Sequence, residues 1–203
     1  MRSRLARLFV GLVAMGAGIA LMVRSELGLA PWDVLHQGLS ERTGVPLGSV
    51  GILLGVAVLA LWVPLHQRPG IGTLANTVVI GVVIDLSLAA VPAFTWAPGR
   101  WMSMVAGILA MAAGSGLYIG AGLGPGPRDG LMTGLAAQGM SLRLVRTAIE
   151  ATVLVIGVLL GGTVGVGTVL LALSIGPLVQ FFLAHLTVTP ARARVGITTS
   201  GGR

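Results

Sequence analysis

An all-α integral membrane protein, built as two inverted copies of a three-span unit, is the fold class this sequence predicts, and three observations predict it. Hydrophobic residues make up 55% of the 203 and charged residues only 9%, with a mean hydropathy of +0.96. A soluble domain carries about 25% charged residues, so this chain cannot cover a water-facing surface and must be solvated mostly by lipid. The second observation is a set of six apolar runs, each near the ~20 residues that cross ~30 Å of hydrocarbon. The third is an internal repeat. Leu27, Gly28, Pro31, Asp33, Leu35, Gly38 and Leu39 return at one offset as Leu123, Gly124, Pro127, Asp129, Leu131, Gly134 and Leu135. Upstream, GLVAMGAG (11–18) is echoed by GILAMAAG (107–114). Downstream, Gly70, Gly72, Thr73 and Gly81 meet Gly165, Gly167, Thr168 and Gly176 after a one-residue slip. Two copies of one unit follow, 1–95 and 96–188.

Taken in order, residues 6–24 form the first expected span. Arginines before an apolar run also suggest a signal peptide, but the same segment recurs deep inside the chain, so the span is expected to stay. Segment 31–40 opens with Pro and Asp, as a helix first turn does, and closes near Gly. Ten helical residues reach only ~15 Å, half a bilayer, so it is a short interfacial or re-entrant helix. Spans at 47–66 and 71–92 follow. The linker 92–100 is too short for a domain of its own. The second copy supplies spans at 101–121, 144–162 and 166–187, with a short helix at 127–139. From Thr189 the tail is polar and basic, a disordered cytoplasmic end expected to touch anionic lipid.

Charge sets the orientation. Of the +7 net charge every basic residue is Arg, and these sit at the ends of apolar runs. No arginine stripe with interleaved aromatics marks a nucleic-acid surface. With the N-terminus inside, Arg2, Arg4, Arg7, Arg68, Arg128, Arg143, Arg146, Arg192, Arg194 and Arg203 lie on the cytoplasmic side, and Arg24, Arg42 and Arg100 lie outside. That positive-inside bias places both termini in the cytoplasm. Three spans per copy is an odd number, so the second copy is upside down relative to the first. Trp62, Trp96 and Trp101 fall at expected span ends, where an aromatic belt sits.

Several chemistries are excluded. Without cysteine there is no disulfide, thiolate catalyst or zinc–sulfur site. No HExxH, G-x-S-x-G or Rossmann unit occurs, and His36, His66 and His185 are scattered over separate segments. Neither an enzyme, a metal nor a cofactor is expected. Small-xxx-small pairs such as Ala14/Gly18, Gly51/Gly55, Gly116/Gly120 and Gly157/Gly161 read as close helix packing. The same Gly-rich faces allow a homo-oligomer.

Ionisable groups far from span ends are costly in lipid and are functional candidates. Asp85 stands mid-span with no partner within a turn, so its partner comes from another helix or a water-filled path. Glu150 has Arg146 one turn before it and can form a self-neutralising ion pair or a coupling pair. Asp33 and Asp129 occupy first turns, where capping the helix dipole is the plain reading. Lining a solute site at a broken helix is the functional one. His36 follows Asp33 by three residues and shares its face. Pro31 and Trp32 precede Asp33, and Arg128 holds Trp32's place in the second copy. Thr73, Asn76 and the repeat-equivalent Thr168 suit interhelical bonds or solute contacts. Asp85 corresponds to Gln180 and Glu150 to Gly55, so the repeat breaks its symmetry at polar positions.

GLAPWDVLHQGLS, a Gly-containing apolar span, and then PGIGTLANTVVIGVVID resemble the bacterial YczE/YitT-type integral membrane proteins. The resemblance rests on Gly28, Pro31, Trp32, Asp33, His36, Gly38, Gly72, Thr73, Asn76 and Asp85 and is strongest over 27–85. It implies a bacterial plasma-membrane placement and names no substrate. The expected function is a secondary transporter or exporter of a small solute. The second reading is a membrane scaffold or accessory protein acting through helix contacts.

Overall fold

In the computed structural model, which describes residues 1–186, the chain forms eight helices in two sets of four. They are α1 (Arg2–Ser25), α2 (Pro31–Thr43), α3 (Leu47–Ala60), α4 (Ile71–Ala90), α5 (Ala97–Ala121), α6 (Pro127–Ala136), α7 (Leu142–Leu159) and α8 (Val166–Leu186). The basic tail from Thr189 lies outside the described residues. Among those residues no strand occurs.

The sequence repeat becomes a set of reciprocal contacts. Gly11 lies against Gly114 and Gly18 against Gly107, so α1 and α5 pass each other in opposite directions. A Cβ on Gly18 would stand 2.7 Å from the Gly107 carbonyl oxygen, and one on Gly107 the same distance from that of Gly18. Only residues without a side chain allow this approach. At the helix ends, Arg4 Nε donates to the Ala121 carbonyl at 2.9 Å, and its counterpart Arg100 donates to the Ser25 carbonyl at 2.7 Å. Each guanidinium thus satisfies orphan carbonyls at the partner's negative end. The Gly72 amide donates to the Leu123 carbonyl at 2.8 Å, and the equivalent Gly167 amide donates to Leu27 at 2.7 Å.

Within the first half, α4 runs in the same direction as α1. Leu8 and Leu12 cluster with Ala75 and Val79, Gly16 meets Ile80 and Val83, and Arg24 donates to the Leu88 carbonyl at the far end. α3 returns antiparallel to α4, with Gly48 against Gly81 and Gly55 against Thr77. In the second half α8 likewise follows α5: Met104 packs with Leu171, and Gly116 packs against Phe182.

Helices stand where the six spans are expected, but they are not six equal spans. α1, α4, α5 and α8 are long and apolar enough to cross a membrane. α2 and α3 meet at 114° and together qualify as one bent span. α3 ends at Ala60, short of the expected 66, because residues 61–66 fold into turns; its 14 residues rise only about 21 Å. α7 carries Arg143, Arg146 and Glu150. The short helices appear as expected, each with Pro at its first position, although α2 continues to Thr43 and α6 stops at Ala136.

One expectation is overturned. Trp62 is not part of an aromatic belt: it is 2% exposed, and its Nε1 donates to the Pro127 carbonyl at 3.0 Å. Its ring lies directly against Gly130 of α6. Trp96 and Trp101 are exposed, as the belt reading requires.

Candidate functional site

The N-termini of the two short helices converge on a cavity of about 170 Å³. Three repeat-equivalent pairs line it: Met15 with Met111, Trp32 with Arg128, and Asp33 with Asp129. The cavity therefore straddles the junction of the halves. Its remaining wall is one-sided, supplied by α3 and α4 through residues such as Leu54, Val58, Asn76, Ile80 and Ile84.

Local sequence explains the convergence. Pro31 and Pro127 start their helices because a residue without an amide hydrogen costs nothing at a first helical position. Each is preceded by an extended residue, Ala30 or Gly126, which turns the chain inward. Asp33 and Asp129 then fall in the first turn, near the positive end of the helix.

The two carboxylates nonetheless meet different surroundings. Asp33 is 1% exposed, and its Oδ1 lies 3.4 Å from Arg128 Nη2 and 3.5 Å from His36 Nδ1. The shared Asp33–His36 face read from the sequence is thus present. Arg128 comes from the other half. Its guanidinium lies 5.1 Å over the Trp32 ring and 3.5 Å from His36 Nε2, so residues at one repeat position stack on each other. Asp33 Oδ2, His36 Nδ1 and Trp32 Nε1 are buried without a hydrogen-bond partner. Asp129 is exposed and makes no ion pair among the described residues.

Other candidates lie elsewhere. Asp85 is outside the cavity lining and works as a cap supplied by another helix. Its Oδ1 accepts from the Gly48 amide at 2.6 Å, and its Oδ2 accepts from the Ser49 amide at 2.9 Å and hydroxyl at 2.8 Å. It thereby satisfies the first amides of α3, which Pro46 at the N-cap leaves bare. Thr73 is fully buried and donates to the Pro125 carbonyl at 2.7 Å, which holds the loop leading into α6. Thr168 accepts from the Gly165 amide at 3.3 Å, a local cap. Arg146 and Glu150 form the expected pair at 2.9 Å, largely in the open. Asn76 lines the cavity, half-buried. Among the described residues no group of His, Asp or Glu is arranged to hold a metal ion.

Four contributors escaped the sequence reading. Met15 and Met111 are identical at repeat-equivalent positions, a signal that was available. Pro127 lines the cavity and accepts from Trp62, which required knowing that α3 ends under α6. Gln37 clamps α2 to the α7–α8 turn, donating to Thr163 Oγ1 at 3.0 Å and accepting from the Thr163 amide at 2.8 Å.

Over residues 2–184 the chain matches a family of unknown function, DUF6198. It is 42% identical over 184 residues to an uncharacterized protein of Haemophilus influenzae, covering 90% of this chain and 84% of that one. It is 35% identical over 179 residues to the uncharacterized membrane protein YczE of Bacillus subtilis, covering 86% and 83%. A second Bacillus subtilis protein, YyaS, is 28% identical over 181 residues, covering 86% and 89%. No solved structure matches the chain significantly.

Proposed function

This chain belongs to the DUF6198 family, and we propose that it is a multi-pass carrier of a small solute in the bacterial plasma membrane, with both termini in the cytoplasm. The observation that carries the reading is the cavity between the halves, lined by Met15/Met111, Trp32/Arg128 and Asp33/Asp129. Inverted-repeat carriers place their solute site at the repeat interface, where broken helices end. The opposed α1 and α5 and their reciprocal capping support an inverted arrangement. In it, α1, the bent α2–α3 pair and α4 make three crossings, and α5, α7 and α8 make three in the contrary sense. Buried ionisable groups at this depth are expensive unless they serve a path or site.

The scaffold reading is weaker, because the small-residue pairs it needs are used inside the chain. Gly18 faces Gly107, Gly55 faces Thr77, Gly116 faces Phe182 and Gly157 faces Leu35. The same holds for a homo-oligomer built on those faces. No enzyme, metal or cofactor chemistry is invoked.

The test is flux in reconstituted vesicles loaded with a mixed panel of small solutes. The carrier reading predicts protein-dependent movement of at least one solute, reduced by Arg128→Met and untouched by Glu41→Gln. Vesicles that stay as tight as protein-free ones for every solute class would leave the scaffold reading standing.

A further inference from the structure

The charge and the bare polar atoms of the cavity narrow its ligand, granted the reading above that this cavity is the solute site. Two carboxylates, Asp33 and Asp129, face one guanidinium, Arg128, so with His36 neutral the lining is net negative. Arg128 is already matched by Asp33 at 3.4 Å and covered on one face by Trp32, which leaves little to hold an anion. Asp129 has no ion-pair partner among the described residues. Asp33 Oδ2 is buried without a hydrogen-bond partner, and a buried acceptor without a donor is costly. The opposite wall, with Leu54, Val58, Ile80 and Ile84, is mainly hydrocarbon, and Asn76 and Thr77 are its polar members.

We infer that the cavity binds a small organic ammonium ion with an apolar body. Its charge pairs with Asp129, an N–H group fills the bare acceptor Asp33 Oδ2, and its hydrocarbon lies on the α3–α4 wall. Trp32 Nε1, a bare donor, takes a water or a ligand oxygen. The volume of about 170 Å³ suits a body near the size of a six-membered carbon ring, since an apolar cavity of about 150 Å³ holds benzene. An anion of the same shape brings a third negative charge beside two carboxylates and is rejected.

The test uses cyclohexylamine, cyclohexanecarboxylate and cyclohexanol against the purified full chain in micelles, read by thermal shift and calorimetry. The expected result is a rise in Tm with the amine and none with the acid or alcohol at equal concentration. Asp129→Asn should weaken amine binding by about tenfold, the scale of one lost ion pair in a partly buried site. Glu41→Gln, a charge removed at an exposed position outside the cavity, should leave it unchanged. Asp129→Asn alters an exposed side chain, so loss of the fold does not confound the result. Binding of the acid in preference to the amine, binding of no probe, or amine affinity that survives Asp129→Asn would each overturn the inference. Vesicle flux separates it from the carrier reading: amine binding without movement removes the carrier and keeps the site, whereas movement of an acid without amine binding does the reverse.

Discussion

The first-half short helix α2 and the second-half short helix α6 start from the same Pro-x-Asp pattern and end in opposite conditions. α2 is pressed into the other half. Val34 lies directly against Gly162, a Cβ on Gly157 would stand 2.6 Å from the Leu35 amide nitrogen, and Gln37 and Arg42 bond to Thr163 and Leu160. α6 is held away from α3 by the Trp62 ring, which fills the space that glycine leaves empty on the α2 side. Where backbone meets backbone, Asp33 is buried in a network; where an indole intervenes, Asp129 stays open. The same motif therefore yields an enclosed ion cluster on one side and an accessible carboxylate on the other. The difference lies in what faces each helix and not in the helix itself.

Removing the wedge should break this contrast most severely. Trp62→Ala deletes a buried aromatic and its hydrogen bond to Pro127, and a loss of about 3–5 kcal/mol is expected from denaturant unfolding in micelles. The next largest effect belongs to the cross-half ion cluster. Arg128→Met leaves Asp33 buried without its counter-charge, which for a fully buried pair costs about 3–5 kcal/mol. With the Arg128 side chain 35% exposed, about 2 kcal/mol is the expected share. Adding Asp33→Asn to Arg128→Met should recover part of that loss, and a double-variant cycle measures how much.

A third comparison lies in the fourth helices. Asp85→Ala removes the trans cap of α3 and should cost about 1 kcal/mol. Gln180→Ala, at the equivalent and exposed position, should change stability by less than about 0.5 kcal/mol. Asp129→Asn should fall within that same ~0.5 kcal/mol while Asp33→Asn exceeds it, although the two carboxylates occupy one repeat position.

Much of this architecture was written in periodicity and repetition. The duplicated motif anticipated reciprocal contacts such as Gly72 with Leu123 and Gly167 with Leu27. Local spacing also sufficed for the Asp33–His36 face and the Arg146–Glu150 pair, because neighbours one helical turn apart need no tertiary information. What the sequence left open depended on non-local geometry. Asp85 calls for a partner on another helix or a water-filled path, and its partners are the backbone amides of Gly48 and Ser49 in α3, which leave no mark in the sequence. Trp62 sat where a membrane-interface aromatic belongs, and only the early end of α3 carries it beneath α6. Arg4 and Arg100 read as topology charges, and each is also a cap on the opposite half's helix.

The arrangement of the two halves is tested most directly by single cysteines placed in this cysteine-free chain at Thr43, the last residue of α2, and Met140, in the connection that follows α6, both exposed. In oriented cells or vesicles, a membrane-impermeant maleimide should reach Thr43→Cys only from the extracytoplasmic face and Met140→Cys only from the cytoplasmic face. Labelling of both positions from one compartment would contradict inverted halves, and with them a cavity reached from alternate sides.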